Sequence, residues 1–147
     1  MPATIKPNKE MIKQQEEAIM EAERNLKPLK ILLVEDNHCG MRLLPTFLKE
    51  FNHEVILAYN GEEGVEVFRK RPDIDLILMD IQMPIMDGFR ATQLIREFDK
   101  EIIIISFTAS SRFKYGKQAI ETGMNDYLQK PFAAAELLAI LQKYFSK

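Results

Sequence analysis

From Leu29 onward, short apolar runs alternate with segments whose apolar residues recur every three or four positions. The runs LKILLVED (29–36), EVILA (54–58), IDLILMD (74–80), EIIIISFTA (101–109) and NDYLQ (125–129) are rich in Val, Ile, Leu or aromatic residues and read as strands. In the segments between and after them, apolar residues share helical faces. Leu44, Phe47, Leu48 and Phe51 do so in the first, Ala91, Leu94, Ile95 and Phe98 in the third, and Ala134, Leu137, Leu138 and Leu141 in the last. Strands buried on both faces, alternating with one-faced helices of about 12 residues, predict a parallel sheet with right-handed crossovers. The expected fold is a five-stranded doubly wound α/β domain over 29–147, with ligands taken at the carboxyl ends of its strands.

Residues 1–28 follow another pattern. NKEMIKQQEEAIMEAERNL (8–26) is highly charged, has no Gly or Pro, and puts Ile12, Ile19, Ala22 and Leu26 near a heptad stripe that Gln15 interrupts. A helical extension or linker is expected, ended or turned by Pro28. Fewer than three heptads are short for a coiled coil, so a solvated helix stands beside a docking or dimerising one.

Composition narrows the function classes. With 147 residues, 46% of them hydrophobic and 29% charged, the chain suits one soluble domain with a core and a short extension. A net charge of -2 offers no basic footprint for nucleic acid. Cys39 is the single cysteine, so no intrachain disulfide forms, and no apolar run reaches the roughly 18 residues of a membrane span. A cytoplasmic protein without membrane insertion is the expectation.

The strand ends carry the candidate chemistry. The first expected strand ends in Glu35-Asp36 and the third in Asp80, after which Pro84 and Gly88 interrupt regular structure. A parallel sheet gathers these three carboxylates at one edge, where like charges raise one another's pKa unless a cation joins them. Oxygen-only ligands favour Mg²⁺, a metal that commonly keeps waters and phosphate oxygens in its shell. Thr108 and Lys130, at the ends of the fourth and fifth strands, add a hydroxyl and an ammonium. A carboxylate nucleophile, a metal, a lysine and a hydroxyl make a coherent site for accepting a phosphoryl group.

VEDN (34–37), MDIQMPIMDG (79–88), FTA (107–109) and DYLQKPF (126–132) together resemble the response-regulator receiver domain of two-component, or phosphorelay, signalling. The resemblance implies a flavodoxin-like strand order of 2-1-3-4-5. It makes Asp80 the phosphoacceptor, Asp36 and Asp80 direct Mg²⁺ ligands, Glu35 an acid that positions the metal or its water, and the Gln82 backbone carbonyl a further ligand. Thr108 and Lys130 would hold the phosphoryl oxygens, Tyr127 matches the family's aromatic switch position, and the Lys130-Pro131 bond is expected cis. The implied donor is a phosphohistidine on a histidine kinase or a histidine phosphotransfer protein. The implied output is a population shift in the surface of the fourth receiver helix, the fifth strand and the last helix, read by a downstream protein.

Blander readings were available for the same residues. Glu35, Asp36 or Asp80 could be a strand-end acid or a helix cap, Thr108 a turn hydroxyl, Lys130 a solvated cation and Tyr127 a core tyrosine. The complete set of motifs outweighs them. His38 and His53 are expected as ordinary solvated histidines, since neither has a second His or Cys at metal spacing. Cys39 reads as a structural thiol, Met83 and Met86 as loop packing, and Phe113 and Tyr115 as packing or partner surface. Glu35 stands where the family often has Asp, HCGMRLL (38–44) replaces a more polar helix start, and Gln82 and Ser110 occupy positions that help set phosphoryl lifetime.

Competing functions are an unphosphorylated receiver-like scaffold and an aspartyl-phosphate phosphohydrolase. The latter is disfavoured because Asp80-Ile81-Gln82 lacks the second acid of a DxD signature. A flavodoxin-like cofactor binder is disfavoured because EDNHCG (35–40) is acidic where a phosphate cradle needs hydroxyls, glycines and open backbone donors. The chain is therefore expected not to be an enzyme with a turnover substrate, although it would catalyse its own phosphoacceptance and dephosphorylation. It would work alone or within a hybrid kinase, with its start at Met1 and its basic tail favouring the former.

Overall fold

A computed structural model describes residues 8–37, 43–108, 112–130 and 132–146. In chain order their elements are α1 (Lys9–Arg24), β1 (Lys30–Val34), α2 (Leu43–Glu50), β2 (Glu54–Ala58), α3 (Gly61–Lys70), β3 (Leu76–Asp80), α4 (Gly88–Phe98), β4 (Ile103–Thr108), α5 (Arg112–Thr122), β5 (Asp126–Gln129) and α6 (Ala134–Phe145). The expectations for His38, Cys39, Ser110, the side chains of Phe113 and Tyr115, and the Lys130-Pro131 bond lie outside the described residues.

The strands form one parallel sheet in the order β2-β1-β3-β4-β5, as expected. Its register pairs Val34 with Ala58 and Met79, Asp80 with Phe107, and Thr108 with Gln129, so the carboxyl ends finish nearly level. Side chains alternate across the sheet. One face, carrying Leu32, Val34, Ile77, Met79 and Ile104, packs with Val65 and Phe68 of α3, Ala91 and Ile95 of α4 and Ala119 of α5 into a continuous core. The alternate residues Ile31, Leu33, Leu76, Leu78, Ile105 and Phe107 are also buried, and α2 adds Leu44 and the fully buried Leu48.

Burial on both faces holds for β1, β3 and β4 but not for the sheet edges. Glu54 and Leu57 of β2 and Gln129 of β5 are exposed, because an edge strand has a neighbour on one side only. Phe98, expected on an apolar face, stacks on Phe68 with ring centroids 5.8 Å apart yet stays 44% exposed, with Arg69 over its ring.

His53 departs from its expected solvated state. It is 3% exposed, and its Nδ1 accepts a 3.0 Å hydrogen bond from the Leu29 backbone N–H at the entry to β1. This bond satisfies an amide that enters the sheet before the ladder begins. At the same amino end of the sheet, Arg71 and Lys30 converge on Asp73 and hold its carboxyl well below the usual range.

Contacts divide the chain into two compact units, Pro28–Phe132 and a second made of Met1–Lys27 with Ala133–Lys147. In the second, Asn8 caps α1 by accepting from the Met11 N–H at 2.8 Å. The stop comes at Asn25, whose N–H bonds the Ala22 and Glu23 carbonyls, before Pro28 is reached. Leu26 then forms an isolated antiparallel bridge with Ser146 beyond α6. Of the heptad stripe, Leu26 is buried, Ile19 and Ala22 are half-buried and Ile12 is exposed. No helix of the described residues is long and apolar enough to cross a membrane.

Replacing His53 by Ala removes the acceptor for the Leu29 amide and leaves a cavity. The expected cost is about 2–3 kcal/mol of folding stability in urea denaturation; a change within measurement error would show that the bond is dispensable.

Candidate functional site

The level carboxyl edge of the sheet brings together residues 22 to 95 positions apart in the chain. Asp80 is the last residue of β3 and Thr108 the last of β4. Glu35 follows β1, with its N–H on the Ala58 carbonyl at 3.0 Å, and Lys130 follows β5, with its N–H on the Thr108 carbonyl at 2.8 Å. These backbone bonds extend the parallel ladders by one residue. They aim side chains into the space beyond the strands.

Glu35, Asp36 and Asp80 each offer a carboxylate oxygen, and the three oxygens lie within 4.8 Å of one another. Glu35 is 2% and Asp80 5% exposed, whereas Asp36 is open to solvent. The Lys130 ammonium stands 2.7 Å from Glu35 Oε2 and 3.8 Å from Asp80 Oδ2. It also lies 4.7 Å from the centre of the Phe107 ring, an aromatic face that favours a cation. The other Glu35 oxygen accepts from the Asn37 N–H at 3.1 Å, and Asp80 Oδ1 faces the Gln82 N–H at 3.4 Å.

Among the described residues, the Lys130 ammonium alone does not balance this acid cluster. Burial and then the neighbouring Glu35 charge push the Asp80 carboxyl up to about 7, against the opposing pull of Lys130. The remedy for such a site is a further cation, and an all-oxygen donor set selects a hard divalent ion. Oxygens on one octahedral Mg²⁺ stand about 3–4 Å apart, given bonds of about 2.0–2.1 Å. Contraction of the present cluster by under about 2 Å reaches that spacing. The donor chemistry and the spacing both fit a divalent metal.

The loop from Ile81 to Asp87 joins Asp80 to α4 and is closely determined. Gly88 N–H bonds the Ile81 carbonyl at 2.9 Å, and Met86 N–H bonds the Pro84 carbonyl at 2.7 Å across a three-residue turn. Ile85, at the centre of that turn, has φ 71, a left-handed conformation costly for a β-branched residue, and is 77% exposed. A Cβ on Gly88 would fall on the Asp80 carbonyl oxygen, so only glycine allows α4 to begin this close to the acid. Met83 and Met86 are partly buried against the core, in line with loop packing.

Thr108 is buried at the same edge. Gln82 lies in the loop with its side chain exposed. Tyr127 is half-buried, its ring beside Gly116 of α5: a Cβ there would stand 3.1–3.3 Å from the ring and hydroxyl. The close Lys130–Glu35 pair, the Phe107 ring beneath the ammonium and the Gly116 slot escaped sequence reasoning. Only Gly116 carried a signal, as a glycine inside a helical pattern.

A receiver-domain family profile, "Response regulator receiver domain", matches residues 31–142. Hybrid signal transduction histidine kinase B of Dictyostelium discoideum is 41% identical over an alignment of 122 residues that covers 74% of this chain and 6% of that protein. The chain therefore spans a small part of the length of such a relative. Among solved structures, the receiver domain of sensor histidine kinase PA1611 from Pseudomonas aeruginosa, with magnesium ion in its active site cleft, is 37% identical with TM-score 0.72, covering 80% of this chain and 98% of that one. The receiver domain of Ssk1 from Saccharomyces cerevisiae, solved with the histidine phosphotransfer protein Ypd1, is 30% identical with TM-score 0.75, covering 82% and 90%. The sheet order, the acid cluster at its carboxyl edge and the match over most of its length agree: this chain belongs to the response regulator receiver domain family.

Proposed function

We propose that the protein accepts a phosphoryl group on Asp80 from a phosphohistidine of a histidine kinase or histidine phosphotransfer protein, in a Mg²⁺-dependent reaction. The observation that carries this reading is the convergence of three carboxylates and one ammonium at the carboxyl edge of the sheet. A carboxylate oxygen of Asp80 attacks phosphorus, an O–P bond forms as the N–P bond of the donor breaks, and the imidazole leaves with its electron pair. Glu35, Asp36, Asp80 and the Gln82 carbonyl would hold the metal, a role that the spacing of the three carboxylates supports. When bound, Mg²⁺ supplies positive charge that neutralises the carboxylates and the transferring oxygens.

The chain's own groups divide the rest of the work. Lys130 moves from Glu35 toward the phosphoryl oxygens, a short step given its 3.8 Å distance from Asp80. The Thr108 hydroxyl donates to another oxygen. Its displacement opens room toward which Tyr127 turns, altering the surfaces of α5, β5 and α6 for a downstream protein. Water entering the same site attacks phosphorus, the Asp80 O–P bond breaks and inorganic phosphate leaves, restoring the free carboxylate, so the chain catalyses its own uptake and loss of phosphate without a turnover substrate. Residues 29–147 serve as the receiver and 1–28 as an extension, a division supported by the family match over 31–142. The same chemistry serves a stand-alone protein or a segment of a hybrid kinase.

Intact-mass measurement after incubation with acetyl phosphate tests the reading. Wild type should gain one phosphoryl group with Mg²⁺ and none with chelator, and Asp80→Asn should gain none in either. No gain in folded, Mg²⁺-bound wild type sampled at short times would sink it.

The raised Asp80 pKa also sets a pH dependence in chelator. The folded state holds this proton up to about pH 7, whereas the unfolded chain releases it near 3.8. Below about pH 4 the group is protonated in both states and contributes nothing; as pH rises to about 7 it progressively destabilises the fold, and above 7 the penalty is full. Asp80→Asn lacks this penalty. Its stability relative to wild type should rise by about 1–3 kcal/mol between pH 4.5 and 7.5 in urea denaturation. A difference flat with pH would contradict the electrostatic account.

A further inference from the structure

We propose that Gly61, at the start of α3, is a positioning residue for the chemistry at Asp80, holding the 81–87 loop so that its backbone can complete the metal shell; this rests on the phosphoacceptor reading above. Gly61 is remote in sequence from every residue of the site and bears no side chain, yet it touches the loop backbone to backbone. Its N–H donates to the Met86 carbonyl at 3.1 Å. A Cβ at this position would stand 2.5 Å from the Met86 carbonyl oxygen, 3.0 Å from that of Asp87 and 3.1 Å from the Ala91 Cβ. The first two neighbours are backbone and the third is the rigid stub of a buried alanine. None can swing aside as the end of a long side chain can.

The loop needs such a tie. It holds a residue in a costly conformation, Ile85 at φ 71, with a side chain 77% exposed and so little burial to offset the strain. On its α5 side, among the described residues, Ile81, Gln82, Met83 and Pro84 line an open cavity of about 560 Å³ together with Gln118. On its α3 side the Gly61 N–H ties the loop through the Met86 carbonyl, and α3 begins there with Asn60 as its cap, whose side chain accepts from the Glu63 N–H at 2.8 Å. A displacement of Met86 passes through the turn to Pro84 and on to Gln82, whose N–H already faces Asp80 Oδ1. Gly61 thus sets the distance between the loop backbone and the acid.

The test compares wild type, Gly61→Ala and Gly123→Ala by calorimetric Mg²⁺ titration and by the rate of phosphoryl gain from acetyl phosphate. Gly123 has φ 114, so its substitution strains the fold at the turn before β5, at the opposite edge of the sheet. It reports what general destabilisation does. Gly61→Ala should weaken Mg²⁺ binding about tenfold, the low end of what loss of a group that orients metal ligands costs, and slow phosphoryl gain, while Gly123→Ala leaves Mg²⁺ affinity unchanged. Unchanged affinity in Gly61→Ala, or equal loss in both variants, overturns the proposal. Wild type that binds Mg²⁺ but gains no phosphoryl group defeats the phosphoacceptor reading, and the Mg²⁺ comparison still decides the role of Gly61. Wild type that binds no Mg²⁺ overturns both. Should Gly61→Ala fail to fold, the wild-type amide resonances decide: Mg²⁺ should shift that of Gly61 and not that of Gly123, and an unmoved Gly61 amide overturns the proposal.

Discussion

Carboxylates repel one another more strongly the less water surrounds them, and in this protein the backbone leaves them no choice of neighbour. The parallel register finishes β1, β3, β4 and β5 at one level, and Glu35, Asp80, Thr108 and Lys130 are the residues at or just beyond those ends. The hydrophobic core fixes that register, because a slip of one residue would turn Leu32, Ile77 and Ile104 to the other face. Core packing therefore holds an electrostatically unfavourable cluster together. The site's appetite for a cation is a product of the fold's stability elsewhere.

Lys130 shows how this strain is eased without being removed. Its ammonium bonds Glu35 and lies over Phe107, so the acid that receives the closest compensation is not Asp80. Asp80 keeps an environment that favours its neutral carboxyl over the bare charge. A carboxylate held in this way has more to gain from a cation than a well-solvated one would.

Much of this was legible in the sequence because the fold uses strong local patterns. Apolar runs of five or six residues ending in Glu35-Asp36, Asp80 and Thr108 gave the strands, and the parallel topology then brought these residues to one edge without further information. Edge exposure in β2 and β5 was not legible, since a run such as EVILA carries no mark of its place in the sheet. His53 was misjudged because its partner is a backbone amide 24 residues away, which leaves no side-chain signature. Gly61 was passed over for a like reason: backbone contacts between distant segments are written only as the absence of a side chain. α1 stops before Pro28, at Asn25, whose N–H bonds the Ala22 and Glu23 carbonyls, and the Leu26–Ser146 bridge that follows is a pairing that local propensity does not encode.

That bridge sets Leu26 beside Ser146, so the chain leads into and out of the intervening 119 residues through adjacent points. A segment with neighbouring entry and exit behaves as a cassette: it can be spliced into a longer polypeptide with little separation forced on the flanking parts. Domains are shuffled most readily where the join asks least of its surroundings. The pairing of two residues at the margins of this chain gives it that portability, independently of any chemistry at Asp80.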